Sequence, residues 1–409
     1  MKLYKLFEKK VFNINPGLER IRKASQEIGS PHEKLNAILI SGTNGKGSTS
    51  AFLESLFRHH NLKTGMFTSP HIVEENERWQ INKISITNEE LEYYIKLIKP
   101  LIEKYELTYF EASALIAFKY FADKNVDIAI LEVGLGGRWD ATNIVEPLVS
   151  TITNVSFDHT HLLGNTLESI AFEKLGIARE NVPLVIGSNQ DVLYKEALEK
   201  GIKEIYQYAK DFLFQDVSSS CIDYQFKNYS FKNLKLSLLG RRQHYNAATA
   251  LTTFLVYAER YNIKPVEKNI RLALSNTFLP ARMQILSTEP LIILDGAHNE
   301  DAILNTFKEV KTLFPDKKIN TVFSGMKDKD LENILKIVKG NSHRIVFTQI
   351  PVSRSISKEN IKDETFVEDI NRAIRFLVNQ VKEDEIILIT GSLYLAGEVL
   401  KDGWNTTYR

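Results

Sequence analysis

Eight consecutive residues, Gly42-Thr43-Asn44-Gly45-Lys46-Gly47-Ser48-Thr49, are the stretch whose chemistry is plainest. Gly42, Gly45 and Gly47 let the backbone turn its N–H groups inward, a following helix adds partial positive charge, and Lys46 supplies a full one. Such a turn is an anion site into which a nucleotide triphosphate fits. The spacing departs from the usual phosphate loop, because two residues separate Gly42 from Gly45 and a glycine follows Lys46. A second group lies at Glu132, which ends an apolar run that breaks at Gly134, Gly136 and Gly137. A carboxylate there can face a ligand crevice and coordinate Mg²⁺, or serve only as a structural hydrogen-bond acceptor.

The elements that must position these groups are marked by periodicity. Ile38 to Ile40 has strand character, and Phe52, Leu53, Leu56 and Phe57 recur at helical spacing, so a tight loop joins a buried strand to an amphipathic helix. A strand from Lys63 to Thr68 leads into Ser69, Pro70 and His71, and the polar residues 74–83 read as a long loop or ribbon. Thr87 opens a capping box with Glu90, followed by Leu91, Ile95, Ile98 and Ile102 on one helical face. A buried helix is expected from Phe110 to Phe121, and strands from Asp127 to Val133 and from Leu148 to Val155, the latter ending before Asp158 and His159.

This alternation predicts an α/β fold, a mostly parallel sheet covered by helices on both faces. Ligands in such sheets gather beyond the carboxyl ends of the strands. Gly42 to Ser48, Ser69, Glu132 to Asn143 and Asp158 to His161 are therefore expected to converge on one crevice. Short aromatic-rich runs between Asp211 and Leu239 predict a small antiparallel insertion, and helices from about Asn246 to Tyr261 and from Val266 to Asn276 close a first domain over residues 1–278. After a hinge at Thr277 to Arg282, strands at 291–295, 319–325, 344–349 and 385–390 predict a smaller α/β domain over 279–409.

The 409 residues suffice for two or three domains of ordinary size. Charged residues at 25% and hydrophobic ones at 43% are the mix of a soluble globular protein, and the net charge of +1 argues against a dedicated nucleic-acid binder. Cys221 is the only cysteine, which excludes an intrachain disulfide and a thiolate metal cluster. No run approaches the ~20 apolar residues of a membrane span, and MKLYKLFEKK lacks a signal-peptide core. A cytoplasmic enzyme without nucleic-acid or membrane partners is expected.

The string GTNGKGST resembles the phosphate loop of the Mur ligase superfamily, ATP-driven enzymes that form amide bonds, and leans toward its folylpolyglutamate synthase and dihydrofolate synthase branch. EVGLGGRWDATN, Glu132 to Asn143, is similar to that branch's signature, with Trp139 where leucine is common. TSPH stands between these two strings, and TNVSFDHT, FEKLGIAR, GRRQHYNAATA, LPARMQ, LDGAHN, GMKDKD and TGSLYLAGE follow in order, so the resemblance runs from near Leu35 to the C-terminus. Leu175 replaces a common alanine, Arg242 a frequent histidine, and Ala281 the usual glycine of the hinge motif.

The resemblance implies a P-loop-type, mostly parallel N-terminal sheet domain and a smaller Rossmann-like C-terminal α/β domain. It places ATP on Thr43, Asn44, Gly45, Lys46, Gly47 and Ser48, with Asn246, Arg282 and Asp295 as further nucleotide residues and Gln243 beside them. Mg²⁺ is expected at two sites, on Ser69 and Glu132 and on His159 and Lys174, the lysine as a CO₂-derived carbamate; a monovalent cation is a further expected cofactor. Taken alone, Lys174 reads as an ordinary solvated helix lysine. Phe110, Arg138, Asp140 and Ala141 are implied to bind the acceptor, Asp140 by accepting hydrogen bonds from a pterin, with capping of the following turn as the alternative. Lys46, Lys174, Arg282 and His298 are the implied catalytic residues, and Asp295, His298 and Asn299, closing a strand and opening a helix, resemble residues that hold the nucleotide, with a helix-cap role for Asp295 or Asn299 as the alternative.

The expected reaction is ATP-dependent addition of L-glutamate to a reduced folate, and also to dihydropteroate, by a monomer. Another Mur-type amide ligase and a nucleotide-dependent switch without ligase chemistry are the competing readings.

Overall fold

The computed structural model describes residues 2–7, 15–327, 331–352, 354–361 and 364–404. The chain divides into two compact units, Met1–Ser237 with Arg242–Phe278, and Leu238–Arg241 with Leu279–Arg409.

The first unit is built on an eight-stranded sheet. Its strands are β1 (Ala37–Ser41), β2 (Thr64–Phe67), β3 (Trp79–Ile81), β4 (Ile84–Ser85), β5 (Ile128–Glu132), β6 (Pro147–Ile152), β7 (Leu184–Ile186) and β8 (Ile205–Gln207), in the order β4-β3-β2-β5-β1-β6-β7-β8. From β2 to β8 in that order every pairing is parallel, and β3 and β4 add an antiparallel ribbon at one edge. All residues of β1 and β5 are buried, as strands covered on both faces require, which is why their sequences read as unbroken apolar runs rather than alternating ones. Phe52, Phe57, Phe118 and Phe121 lie fully inside, each contributing about 1.5–3 kcal/mol on burial.

The anticipated capping box is present: Thr87 accepts from the Glu90 amide, and Glu90 accepts in return at the start of the helix Asn88–Tyr105. The helix Lys46–His59 after the glycine loop packs Phe57 edge-on against Phe254 and Tyr257, at ring separations of 5.3 and 5.0 Å. Those two rings belong to the helix Arg241–Arg260, so the contact fixes Gln243 and Asn246 relative to the loop. That helix starts at Arg241 rather than near Asn246, because GRRQH continues its turn without a breaker.

A separate antiparallel sheet follows β8, made of β9 (Phe212–Ser218), β10 (Cys221–Phe226) and β11 (Tyr229–Lys235). Tyr224 anchors it, its hydroxyl 2.7 Å from Thr252 Oγ1 on the Arg241–Arg260 helix.

The second unit carries a five-stranded sheet in the order β12-β13-β16-β14-β15, formed by β12 (Gln284–Thr288), β13 (Leu291–Leu294), β14 (Lys318–Phe323), β15 (Arg344–Phe347) and β16 (Glu385–Thr390). Only β12 runs antiparallel. Strands β7, β8 and β12 escape periodicity, the first two because three residues are too few to show a pattern and β12 because it lies at an edge. No helix among the described residues is long and apolar enough to cross a membrane. Asp328, Lys329 and Asp330 of the GMKDKD string lie outside the described residues.

Candidate active site

The glycine loop leaves the carboxyl end of β1 and is held from the neighbouring strand. Beyond β6, Asn154 takes the Thr43 amide on its carbonyl (3.0 Å) and the Asn44 amide on its side-chain oxygen (3.1 Å), while Thr153 Oγ1 donates to the Asn44 carbonyl at 2.6 Å. The Ser156 amide donates to Thr43 Oγ1 at 3.0 Å. Gly45 caps the helix Lys46–His59 at φ +86, a conformation that favours glycine, and a Cβ there would also collide with Asn246 Oδ1. Asn246 in turn donates to Gln243 Oε1 at 3.0 Å. Lys46 folds back so that its ammonium donates to the carbonyls of Gly42 (2.9 Å) and Thr43 (3.3 Å). The loop therefore presents a cation and the first amides of a helix together, an arrangement suited to phosphate oxygens.

Next to β1, the carboxylate of Glu132 at the end of β5 accepts the Ser69 amide at 3.2 Å, which brings the TSPH turn after β2 to the glutamate. Ser69 and Glu132 are thus neighbours. His159 stands in a left-handed turn beyond β6, its ring 3.7 Å from Asp158 and 39% exposed. Among the described residues no group of three or more His, Cys, Asp or Glu side chains could by itself hold a metal. A hydroxyl, a carboxylate and a carbamate would supply the oxygen donors Mg²⁺ prefers, so the residues fit that ion only if Lys174 is modified or substrate phosphates complete the shell.

Lys174 departs most from its ordinary reading. The residue is 4% exposed, not solvated. Burial, and then the positive charge of Lys46, push its ammonium down to about 7, against a smaller opposing effect of Asp158. Lys46, Lys174 and Asp158 share one electrostatic neighbourhood.

The segment that carries Lys174 is interlocked with the loop after Glu132. The Arg138 amide donates to the Glu173 carbonyl at 2.9 Å, and its guanidinium to the Glu173 carboxylate at 2.6 Å. That guanidinium also lies 4.9 Å from the ring of Trp139 and 5.0 Å from that of Phe172. Asn143 donates to the Gly176 carbonyl at 3.0 Å. Gly176 touches Arg138 so closely that a Cβ would run into the Arg138 backbone.

Phe110, at the start of the helix Tyr109–Asp123, lies over the same loop; a Cβ on Gly134 would come within 2.6 Å of its ring. Ala141 is buried in the turn that follows Asp140. Asp140 is turned inward. One oxygen accepts the amides of Gly134 (2.9 Å) and Leu135 (3.0 Å), the other the amide (3.0 Å) and hydroxyl (2.6 Å) of Thr142. Four donors use the full capacity of a carboxylate, so a pterin contact would have to share an oxygen already taken, and the geometry favours the turn-capping alternative. Burial raises the Asp140 pKa from its ordinary value. Asp140→Ala, which orphans buried amides, is expected to lower unfolding free energy by about 1–3 kcal/mol. Denaturation in urea checks this, and unchanged stability would restore the direct-contact reading.

In the second unit, Asp295 accepts the amides of Met283 (2.9 Å) and Ala297 (3.0 Å) and the hydroxyl of Thr306 (3.0 Å). It thereby holds the turn containing Arg282, which is flanked by Ala281 and Met283, both at positive φ. Arg282 donates to the Ala281 carbonyl at 2.9 Å. His298 Nδ1 lies 3.0 Å from the Gly296 carbonyl, and Asn299 caps the helix Glu300–Leu313 by accepting the Ala302 amide.

The sequence reading did not single out Thr153, Asn154 and Ser156 as the frame of the glycine loop, nor Glu173 and Gly176. A cluster of small polar residues directly after a buried strand was the available signal for the first three.

Comparison with known proteins accords with this arrangement. Residues 40–254 match the Mur ligase middle domain, and residues 281–393 the Mur ligase, glutamate ligase domain. The dihydrofolate synthase/folylpolyglutamate synthase of Bacillus subtilis (strain 168) is 34% identical, with 95% of each chain covered. The folylpolyglutamate synthase of Lacticaseibacillus casei is 30% identical, over 93% of this chain and 92% of that one. Among solved structures, E. coli FolC in complex with DHPP and ADP superposes with a TM-score of 0.91 at 27% identity, covering 99% of both chains. The bifunctional folylpolyglutamate synthase/dihydrofolate synthase of Yersinia pestis, complexed with AMPPNP and Mn ion, gives a TM-score of 0.88 at 28% identity over 98% of each chain. With both Mur ligase domains matched and relatives alike over nearly their whole length, the chain belongs to the folylpolyglutamate synthase/dihydrofolate synthase family of Mur ligases.

Proposed function

We propose that this protein is an ADP-forming ligase that uses ATP to add L-glutamate to the carboxylate of a reduced folate, and also to dihydropteroate. The observation that carries the reading is the burial of Lys174, 4% exposed, in the electrostatic neighbourhood of the phosphate-loop Lys46. A nucleotide switch has no use for such an amine. A ligase of this family can convert it, through bond formation between Nζ and CO₂ and loss of a proton, into a carbamate anion with two donor oxygens. The ligands named for the E. coli and Yersinia relatives, ADP, DHPP, AMPPNP and Mn, support nucleotide and divalent metal use.

In this mechanism the amides of Gly45 to Ser48 and the Lys46 ammonium bind the phosphates. Ser69 and Glu132 are the residues that would hold one Mg²⁺, and His159 with carbamoylated Lys174 a second; the chemistry supplied is neutralisation of charge on phosphates and acceptor acid. An acceptor carboxylate oxygen attacks the γ-phosphorus, and ADP leaves. The glutamate amine then attacks the acyl carbon, loses its proton, and the acyl C–O bond breaks to release phosphate. Phe110, Arg138 and Ala141 are assigned to the acceptor, with Asp140 shaping their loop. Asn246, Asp295 and His298 are assigned to the nucleotide, and Arg282, by its motif, to the transferring phosphoryl group. A monovalent cation, a monomeric state and a cytoplasmic location complete the proposal.

The test is to incubate the purified protein with ATP, Mg²⁺ and glutamate, with dihydropteroate or tetrahydrofolate as acceptor, and to read product masses. Both acids are expected to gain one glutamyl residue. ATP hydrolysis that needs neither acid nor glutamate would point to the switch instead.

A further inference from the structure

Outside the residues assigned above, the chain has a buried carboxylate that the mechanism does not use. Glu75 opens a short turn, Glu75–Arg78, within the loop that follows Ser69, and is 3% exposed. Its carboxylate accepts the Leu3 amide at 2.8 Å, the Tyr4 amide at 2.9 Å and the Tyr109 hydroxyl at 2.9 Å. These donors come from the separate turn Leu3–Leu6 and from the residue preceding Phe110.

The packing around this carboxylate has one direction. Leu3 is fully buried, Phe7 meets Tyr109 edge-on at 5.7 Å, and the Arg78 guanidinium lies 5.1 Å from the Tyr109 ring centroid. Arg78 Nε donates to His71 Nδ1 at 2.9 Å, two residues from Ser69. Lys2 donates to Asn76 (2.7 Å) and Glu74 (2.8 Å), and Glu77 gathers the amides of Ile72, Val73 and Glu74. The Ser69 loop is closed at its base where the Thr68 amide donates to the Arg78 carbonyl at 3.1 Å. The Ser69 loop and the start of the helix that carries Phe110, the residue assigned to the acceptor, thus meet on one buried side chain.

We propose that Glu75 is a positioning residue for the acceptor acid, tying the Leu3–Leu6 turn and Tyr109 to the loop that carries Ser69. The inference rests on the ligase reading for what the pocket binds, but the tie itself does not. The glycine loop takes its support from Thr153, Asn154 and Ser156, so the direct phosphate contacts of that loop do not depend on Glu75. Glutamine at this position keeps one acceptor oxygen but turns an NH2 donor toward the Leu3 amide or toward the Tyr4 amide in a buried place, which loosens the acceptor flanks first.

The test compares wild type, Glu75→Gln and Tyr109→Phe, the last of which removes one of the three donors and keeps the ring. For Glu75→Gln the KM for tetrahydrofolate is expected to rise about tenfold while the affinity for ATP measured without Mg²⁺ stays within about twofold. Tyr109→Phe should shift the same KM by about two- to threefold. Amide hydrogen exchange of the full-length proteins supplies a readout that needs no turnover: residues 69–78 and 109–112 should exchange faster in Glu75→Gln, and residues 43–48 at the wild-type rate. An unchanged acceptor KM, or equal loss of nucleotide and acceptor affinity, would overturn the proposal. If the wild type makes no product, the ligase reading fails, and exchange alone decides: slow, wild-type exchange over 69–78 in Glu75→Gln would overturn the tie.

Discussion

Lys174→Ala is expected to lower turnover by about a hundredfold or more and to regain part of it with a small added carboxylate such as acetate. The lost group is a metal-ligating anion rather than a solvated cation, and a missing interaction of about 3 kcal/mol in the transition state corresponds to that factor. Near-normal activity without rescue would return Lys174 to an inert role. A companion variant, Lys174→Met, separates function from stability. The folded-state pKa of about 7 lies below the ordinary 10.5, so between those values the unfolded chain binds a proton that the folded one does not, and this group's contribution to stability rises with pH across that window. At pH 7 the unmodified buried lysine therefore costs stability on the order of a few kcal/mol. In bicarbonate-free buffer Lys174→Met should melt above wild type at pH 7, the gap narrowing as pH approaches 10. A lower melting temperature at pH 7 would contradict the assigned burial and charge.

The second large effect is expected at Gly176, where geometry rather than charge is decisive. A Cβ would meet Arg138 Cα, Cβ and N, and two of those are backbone atoms that cannot swing aside. Gly176→Ala must therefore part the Lys174 segment from the loop after Glu132. The expected cost is about 1–3 kcal/mol in unfolding free energy from overpacking, and about a hundredfold in turnover because the metal-side residues on the two segments lose register. ATP affinity should change little, since the glycine loop hangs on Thr153 to Ser156 instead. Chemical denaturation, nucleotide titration and turnover on one sample distinguish this pattern from general unfolding. Wild-type turnover would show that the two segments need not stay interlocked.

Legibility in the sequence followed length of pattern. Strands β1, β5 and β16 hold unbroken apolar runs, β6 is rich in β-branched residues, and the Asn88–Tyr105 helix has both a cap and a face, so sequence located them. Three-residue strands such as β7 have no period to read. In the site, the glycine loop was legible because its chemistry is written in consecutive residues. The burial of Lys174 was not, since nothing local distinguishes a buried helix lysine from a solvated one; the resemblance singled it out, and only the fold gives its 4% exposure, in a segment whose Glu173 is held by Arg138 from the Glu132 loop. Asp140 shows the reverse limit: its motif suggested a ligand contact, but only the fold reveals that the amides of Gly134, Leu135 and Thr142 already take its oxygens. Glu75 carried no signal, because its partners are the amides of residues some seventy positions away.

The most direct test of the central claim follows one oxygen atom. With ¹⁸O in the acceptor carboxylate of tetrahydrofolate, and with ATP, Mg²⁺ and glutamate present, the account predicts ADP as the nucleotide product. One labelled oxygen should appear in the released orthophosphate, because the attacking carboxylate oxygen leaves with phosphorus when the amide forms. Label appearing in AMP, or orthophosphate free of ¹⁸O while the glutamylated product accumulates, would contradict an acyl phosphate.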